Sequence, residues 1–364
     1  MPSTFQHQLL RHIALSLQSF PDRNIDTLRH PQARQGPQEW LLSKAAKRGW
    51  YRHQATSREN IDQRLAELEP HLDGLEWLHH RLDDDASRRT LVEVIGFRVL
   101  GPRHARIQAV HDRFWQAVEK IKDPAVVMPK TQSVPMFDGW LDDYDLAPHG
   151  WPVKLRAQKL NVLNTYYLEQ YRFKAPGIDI QAQAGDVIID GGGCWGDTAL
   201  YFAIKTGVKG AVHTFEFSPA NLTLMAANLA QNPDLARCIH LQQAALWHKS
   251  DQELQFDEAG PATNLGSGGM SAATLSIDDW ASRSKSGKVD FIKLDIEGAE
   301  RRALQGAKNV IQTLKPTLAV ALYHSLDDFI RLPQAIDALH PGYRFHLGHY
   351  TIHSEETILF ATNG

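Results

Sequence analysis

The chain opens on an amphipathic pattern. Phe5, Leu9, Leu10, Ile13, Leu17 and Phe20 recur at helical spacing, so one face of the segment is apolar. The pattern predicts a helix docked on its own core or on a second subunit, with a membrane-surface helix as the competing expectation. Residues 31–38 (PQARQGPQ) break the periodicity and read as a linker. From Asp62 to Leu100 helical spacing returns, with Leu65, Leu68, Leu72, Leu75, Trp77 and Leu78 as apolar positions. Asp83–Ser87 (DDDAS) interrupts it and offers N-caps for a further helix from about Arg88.

Between Asp123 and Ala175 the signals are mixed. Ala125–Met128 suits a short strand, Pro135–Pro152 is rich in Gly, Pro and Asp, and Leu160–Tyr171 has helical character. After Gly185 short apolar runs alternate with helical patterns. The runs are DVIID, AVHTFEF, CIHLQQAAL, VDFIKLDI and TLAVALY; helices are predicted from Asp197, from Ser218, over Glu297–Leu314 and through Asp327–Leu339. Strands alternating with helices imply right-handed crossovers and a parallel sheet covered on both faces. YRFHLGHYT and ETILFAT have no helix between them and predict an antiparallel hairpin at the sheet edge. The expected division is a helical region over 1–122, a connecting or lid segment over 123–175, and the sheet domain over 176–364.

Composition narrows the field. Apolar residues make up 43% and charged residues 22%, enough to bury a sizeable core, and the formal net charge of −3 gives no electrostatic footprint for nucleic acid. No apolar run approaches the roughly 20 residues that span a bilayer. Arg11 and His12 interrupt what would have to be a signal-peptide core, so a cytoplasmic protein is expected. Cys194 and Cys238, the two cysteines, supply neither a disulfide framework nor CxxC zinc spacing.

The segment Asp190–Thr198 (DGGGCWGDT) follows the strand DVIID and opens a helix. Gly191, Gly193 and Gly196 satisfy G-x-G-x-x-G, and Glu216 ends the next strand, where a carboxylate can accept both ribose hydroxyls. The combination predicts a nucleoside ligand rather than a merely tight turn. A dinucleotide would set its pyrophosphate on the helix N-terminus, where Asp190 and Asp197 would repel it. S-adenosylmethionine has no phosphate. Its ammonium can pair with Asp190 while N–H groups at the helix start, around Asp197 and Thr198, take its carboxylate. Ala244 and Ala245 permit the adenine to approach the third strand, and Phe217 can cover the ring. Trp195 either walls the methionine pocket or packs under the sheet.

These residues resemble the FkbM-type methyltransferases. The resemblance rests on GDVIIDGGGCWGDTA (Gly185–Ala199), TFEFSPANL (Thr214–Leu222), LSIDDW (Leu275–Trp280) and FIKLDIEGAE (Phe291–Glu300), then Gly306-Ala307 and LKPTLAVALYH. It covers Tyr171–Ala361 strongly, Asp83–Gly101 faintly, and residues 1–80 not at all. What it implies is an α/β, doubly wound, Rossmann-like class I methyltransferase sheet with a terminal antiparallel hairpin, behind a mainly helical N-terminal region. It further implies an S-adenosylmethionine-dependent enzyme that releases S-adenosylhomocysteine and acts on hydroxyls of sugars or glycosylated natural products. The pattern departs after the fifth strand, where a Glu often stands and this chain has ALYH.

Methyl transfer to an alcohol needs alignment and a base. Ligand crevices of doubly wound sheets lie at the strands' carboxyl ends, which nominates Asp295, Glu297 and His324. His324 is the leading base, with a hydrogen-bonded strand-end histidine as the alternative. Asp295 or Glu297 can orient the acceptor, hold an ammonium or bind a hydrated divalent ion; Glu297 equally suits the following helix dipole. Arg301 and Arg302 read as surface residues. His346, His349 and His353 lie on a strand, which argues against a zinc triad and leaves them to border the acceptor pocket; His79-His80 is a weaker metal candidate still.

Overall fold

The N-terminal periodicity becomes α1 (Thr4–Ser16), which buries Phe5, Leu9 and Ile13 and leaves Leu10 and Leu17 exposed. The computed structural model describes residues 4–18, 24, 58–102, 104–128, 134–136, 139–257, 264–265, 269–285 and 287–363, so Phe20 and the 31–38 linker lie outside the described residues. Three helices follow: α2 (Arg58–Leu68), α3 (Leu72–Arg81) and α4 (Asp85–Leu100). Asp84 starts the last of these by accepting the Ser87 N–H at 2.8 Å. That cap sets the helix start at Asp85, ahead of the expected Arg88. Thr90, Leu91, Val92, Val94, Ile95 and Phe97 are all buried, so α4 is covered nearly all round. A fifth helix, α5 (Gln108–Ile121), buries Val110, Phe114, Val118 and Ile121 along one stripe.

The central sheet has seven strands: β1 (Val187–Gly191), β2 (Ala211–Phe215), β3 (Ile239–Gln242), β4 (Phe291–Leu294), β5 (Thr317–Ala321), β6 (Tyr343–His349) and β7 (Thr357–Asn363). Their spatial order is β3-β2-β1-β4-β5-β7-β6. The first five pair in parallel, and β7 runs antiparallel to both neighbours. The expected hairpin is present, but its second strand lies inside the sheet and β6 forms the edge. Burial along β7 is continuous: Ile358, Leu359, Phe360 and Ala361 are all fully buried, as a strand covered on both faces requires.

Neighbouring residues on each strand enter two cores. Ile189, Ile292, Leu318 and Leu359 pack with Leu75, Leu78, Leu91 and Ile95 of the N-terminal helices. Ile188, Phe291, Ala319 and Phe360 pack on the other face with Leu200 and Phe202 of α6 (Asp197–Thr206). The helical lead-in also meets the sheet edge directly, since the Asp83 N–H donates to the Phe345 carbonyl at 2.8 Å.

Past α6, the layers are completed by α7 (Pro219–Ala230), α8 (Ile277–Ser284), α9 (Glu300–Gln305), α10 (Lys308–Leu314) and α11 (Asp328–Leu339). The single helix expected over Glu297–Leu314 is two, divided at Gly306, where a Cβ would come within 2.1 Å of the Trp247 carbonyl. The 123–175 region contains a three-stranded antiparallel sheet (Val134–Met136, Gly139–Asp145, Lys154–Gln158), then a helical turn that loosens to π geometry over Leu163–Tyr167. Only Val127 of the expected 125–128 strand pairs, as a bridge to Tyr144. A second small sheet takes up Glu253–Asp257, Asn264–Leu265, Met270–Leu275 and the pair Ala245–Leu246. Among the described residues no helix is long and apolar enough to cross a membrane.

Candidate active site

The glycine turn forms because no other residue fits it. Gly192 has φ +82°, and a Cβ there would fall 2.1 Å from the Asp295 carbonyl oxygen. A Cβ on Gly193 would fall 2.0 Å from Thr214 Oγ1. The Gly192 and Gly193 N–H groups both donate to the Phe215 carbonyl, at 3.1 and 2.9 Å, which folds the turn over the end of β2. The result is a cleft at the strands' carboxyl ends, lined by Gly192, Cys194, Glu216, Phe217, Asn221, Ala244, Ala245, Asp295 and Glu297 among others.

Asp190 stands beneath the turn, not in the cleft. It is fully buried, accepts the Thr198 and Thr214 hydroxyls at 2.9 Å each, and lies 3.4 Å from Lys293 Nζ. Lys293 also donates to the carbonyls of Gly191 and Gly192, at 2.8 and 2.7 Å. Burial works against this ammonium, yet Asp190, Asp295 and Asp197 hold its pKa above the ordinary lysine value. Asp190 is therefore already neutralised. The expectation that it pairs with a ligand ammonium, or repels a phosphate, is corrected by its lysine partner. Thr198 is likewise spent on Asp190, and Asp197 is buried against Thr165 at 3.0 Å, with burial raising its pKa to about 6.

Glu216 is the acid that does border the cleft. One oxygen accepts the N–H groups of Phe217 and Ser218, at 2.7 and 2.8 Å, and the other accepts Asn221 Nδ2 at 3.2 Å. Asn221 Oδ1 in turn accepts the Trp195 indole N–H at 3.0 Å. Trp195 is fully buried, so it packs under the sheet and its side chain does not wall a pocket. Phe217 stands edge-on to Phe256 at 4.8 Å, at the side of the cleft that Ala244 and Ala245 keep shallow.

At the other end of the cleft Asp295, Glu297 and His324 come together. Asp295 accepts the hydroxyls of Tyr171 at 3.0 Å and Tyr323 at 2.9 Å, and lies 3.3 Å from His324 Nε2. Burial opposes its charge, but His324, Lys293 and Tyr323 together hold it down at about 2. Glu297, at φ +55° and followed by Gly298 at φ +91°, is turned into the cleft by two left-handed residues in succession. Burial, then the charge of Asp295, pushes its pKa up to about 7. His324 is clamped: Nδ1 lies 3.5 Å from Glu297, and Nε2 lies 3.2 Å from Glu300. Burial opposes the imidazolium, but Asp295 and Glu300 raise its pKa to about 11. A cation has no lone pair to receive a proton. Three carboxylates around the ring favour its charged form, which argues against His324 as a base, whereas burial and Asp295 favour a protonated Glu297.

Asp295, Glu297 and His324 have ligand-type atoms within 4.8 Å of one another. Glu297 and Asp295 face opposite nitrogens of the ring, however, an arrangement that suits an ion-pair clamp better than a shared metal ion. His346 and His349 of β6, and His353 in the bend after it rather than on the strand, are not among the residues that line the cleft. His346 is buried against Asp84 at 2.7 Å and His349 against Thr357 at 2.8 Å, while His353 lies 3.3 Å from Thr351. Arg301 and Arg302 are exposed, Arg302 lying over the Trp247 ring. Sequence reasoning missed Lys293, Tyr171, Tyr323, Asn221 and Glu300. Lys293 carried a signal, as a lone cation inside the apolar run VDFIKLDI; the others carried none.

Strand order, the inserted antiparallel strand and the cleft over the glycine turn define a class I methyltransferase fold. Residues 179–346 match the methyltransferase FkbM domain. Among solved structures, methyltransferase FkbM from Methylobacillus flagellatus KT is similar with a TM-score of 0.53 and 20% identity, over 81% of this chain and 60% of that one. Aeropyrum pernix fibrillarin, solved with natively bound S-adenosyl-L-methionine, is more distant, with a TM-score of 0.34 and 13% identity over 65% of this chain and 100% of that one. The likeness to the Methylobacillus protein extends to the fold. Curated proteins give no match to the chain.

Proposed function

We propose that this protein is an S-adenosylmethionine-dependent O-methyltransferase acting on the hydroxyl of a sugar, polysaccharide or glycosylated natural product. The observation that carries the reading is Glu297, a carboxylate turned into the cleft beside the glycine turn and 3.5 Å from His324 Nδ1. In this reading 176–364 is the catalytic unit, 1–122 its helical lead-in and 123–175 a connecting segment.

The donor set fits the cofactor. Glu216 keeps acceptor capacity toward the cleft for ribose hydroxyls, and Gly192 leaves the backbone open to close approach. Phe217, Ala244 and Ala245 would flank the adenine, and the ionised Asp295 would face a ligand cation. When bound, S-adenosylmethionine supplies a methyl group already activated by its sulfonium.

The chain's own part is to hold and deprotonate the acceptor. Glu297 takes the hydroxyl proton as the oxygen becomes an ether oxygen, a role worth about 10²–10⁴-fold in rate. His324 stabilises the carboxylate before the transfer. Glu300 fixes the turn that carries Glu297, accepting the Ile296 N–H at 2.8 Å.

Isothermal titration with S-adenosylhomocysteine, with NAD as control, tests the cofactor. Binding of the former alone supports the reading, and a screen of sugar acceptors with labelled methyl donor then tests the hydroxyl. NAD binding alone would favour a dinucleotide oxidoreductase. Nucleoside binding without turnover on any alcohol would leave a binding scaffold.

A further inference from the structure

The helical lead-in contains a second cluster of ligand-type side chains, on a different element from the cleft. Glu76, His79 and His80 stand at positions i, i+3 and i+4 of α3, so Glu76 faces both histidines along one side of the helix. Their ligand-type atoms all lie within 4.8 Å of one another. Glu76 Oε1 is already 3.1 Å from His80 Nε2. Two ligands of a zinc ion, each about 2 Å from the metal, sit roughly 3.3 Å apart.

His79 supplies an independent observation. It is 2% exposed, and among the described residues neither of its ring nitrogens has a hydrogen-bond partner. Buried polar groups are paired as a rule, and an imidazole has one nitrogen lone pair to offer. The Phe5 ring, 5.7 Å away, covers it with apolar surface. A metal ion on the Glu76 side would occupy that lone pair.

We propose that Glu76, His79 and His80 bind one divalent transition-metal ion. Two imidazoles and one carboxylate are the donor set of zinc, nickel or cobalt, whereas magnesium and calcium prefer oxygen alone. His80 is 64% exposed, which leaves an entry path and room for water as a fourth ligand. The ion has a structural consequence. Glu76 Oε2 accepts the Phe5 N–H at 2.9 Å, so the same carboxylate joins the first turn of α1 to α3. Coordination through Oε1 would fix Glu76 and lock α1 in place. Nothing here depends on the methyl-transfer reading.

The test uses the full-length protein stripped of metal and titrated with zinc chloride, followed by calorimetry and by thermal unfolding. The expected result is one site with Kd of about 10 µM or tighter, weakened at least about tenfold in His80→Ala and in Glu76→Gln. The melting temperature should rise with zinc in the parent and not in His80→Ala. His80 is exposed, so its loss leaves the core intact where His79→Ala could unfold it. Absence of a zinc site with a Kd of about 10 µM or tighter would overturn the proposal. So would binding that survives both substitutions, or that is lost only in His324→Ala, which would put the ion in the cleft.

Discussion

Lys293 Nζ lies 3.4 Å from Asp190 Oδ1 in a pair that solvent does not reach, and the same ammonium holds the carbonyls of Gly191 and Gly192. One lysine thereby fixes the glycine turn from below and neutralises the acid that ends β1. Removing one partner of such a pair leaves an uncompensated buried charge. Lys293→Met should cost about 3–5 kcal/mol in chemical denaturation, and Asp190→Asn combined with it should recover part of the loss. If Lys293→Met were neutral, the pair would not be what holds the turn.

Glu297→Gln keeps the size and polarity of the side chain and removes its basicity. Turnover should fall by about 10²–10⁴-fold while binding of S-adenosylhomocysteine stays within a few-fold. In the parent, the rate should rise with pH through about 7, because the base is active only when deprotonated and its pKa is raised to about that value. A flat profile between pH 6 and 8 would remove Glu297 from the mechanism.

Asn221 ties Glu216 to Trp195, and so connects the ribose acid to the core under the sheet. Glu216→Ala should weaken nucleoside binding by roughly 10–150-fold, the loss expected for charged hydrogen bonds worth about 1.5–3 kcal/mol. Asn221→Leu should weaken it less and also lower the melting temperature, since both partners lose a bond. Titration calorimetry on the two variants separates these effects.

The clamp around His324 makes stability depend on pH in a stated direction. Its folded pKa, about 11, lies above the ordinary 6.5, so the contribution is complete below about 6.5 and disappears as pH rises through 11. Asp295 works at the opposite end: held at about 2, it contributes above about 4 and loses that contribution as pH falls through 2. Denaturation midpoints should therefore decline between pH 7 and 11 in the parent and decline less in His324→Asn. Equal slopes would show that the histidine is not charged in the folded state.

The parallel sheet, its helices and the glycine turn were legible because each rests on local signals: apolar runs, caps and a glycine spacing. Glu216 was legible for the same reason, as an acid at a strand end. The role of Asp190 is not legible in the sequence, because its partner, Lys293, stands 103 residues further along the chain and side-chain pairing across strands leaves no periodic trace. His324 was chosen as base from its ordinary pKa, whereas three carboxylates around it reverse that choice. The small sheet around Met270–Leu275 left little trace, since its alternation of buried Ala272 and Thr274 with exposed neighbours is short and follows a glycine-rich stretch. The edge position of β6 followed no sequence rule, because hairpin register does not say which strand faces the rest of the sheet.

That β7 lies between β5 and β6 bears on how the molecule is made. A ribosome delivers β5 and then β6 before β7, yet neither of those strands pairs with the other. Until residues 357–363 leave the exit tunnel, both present open edges to the solvent. The seven-stranded sheet is therefore closed only when β7 enters a slot and bonds on two sides at once. A nascent chain halted before that point is the form most exposed to chaperones and to aggregation.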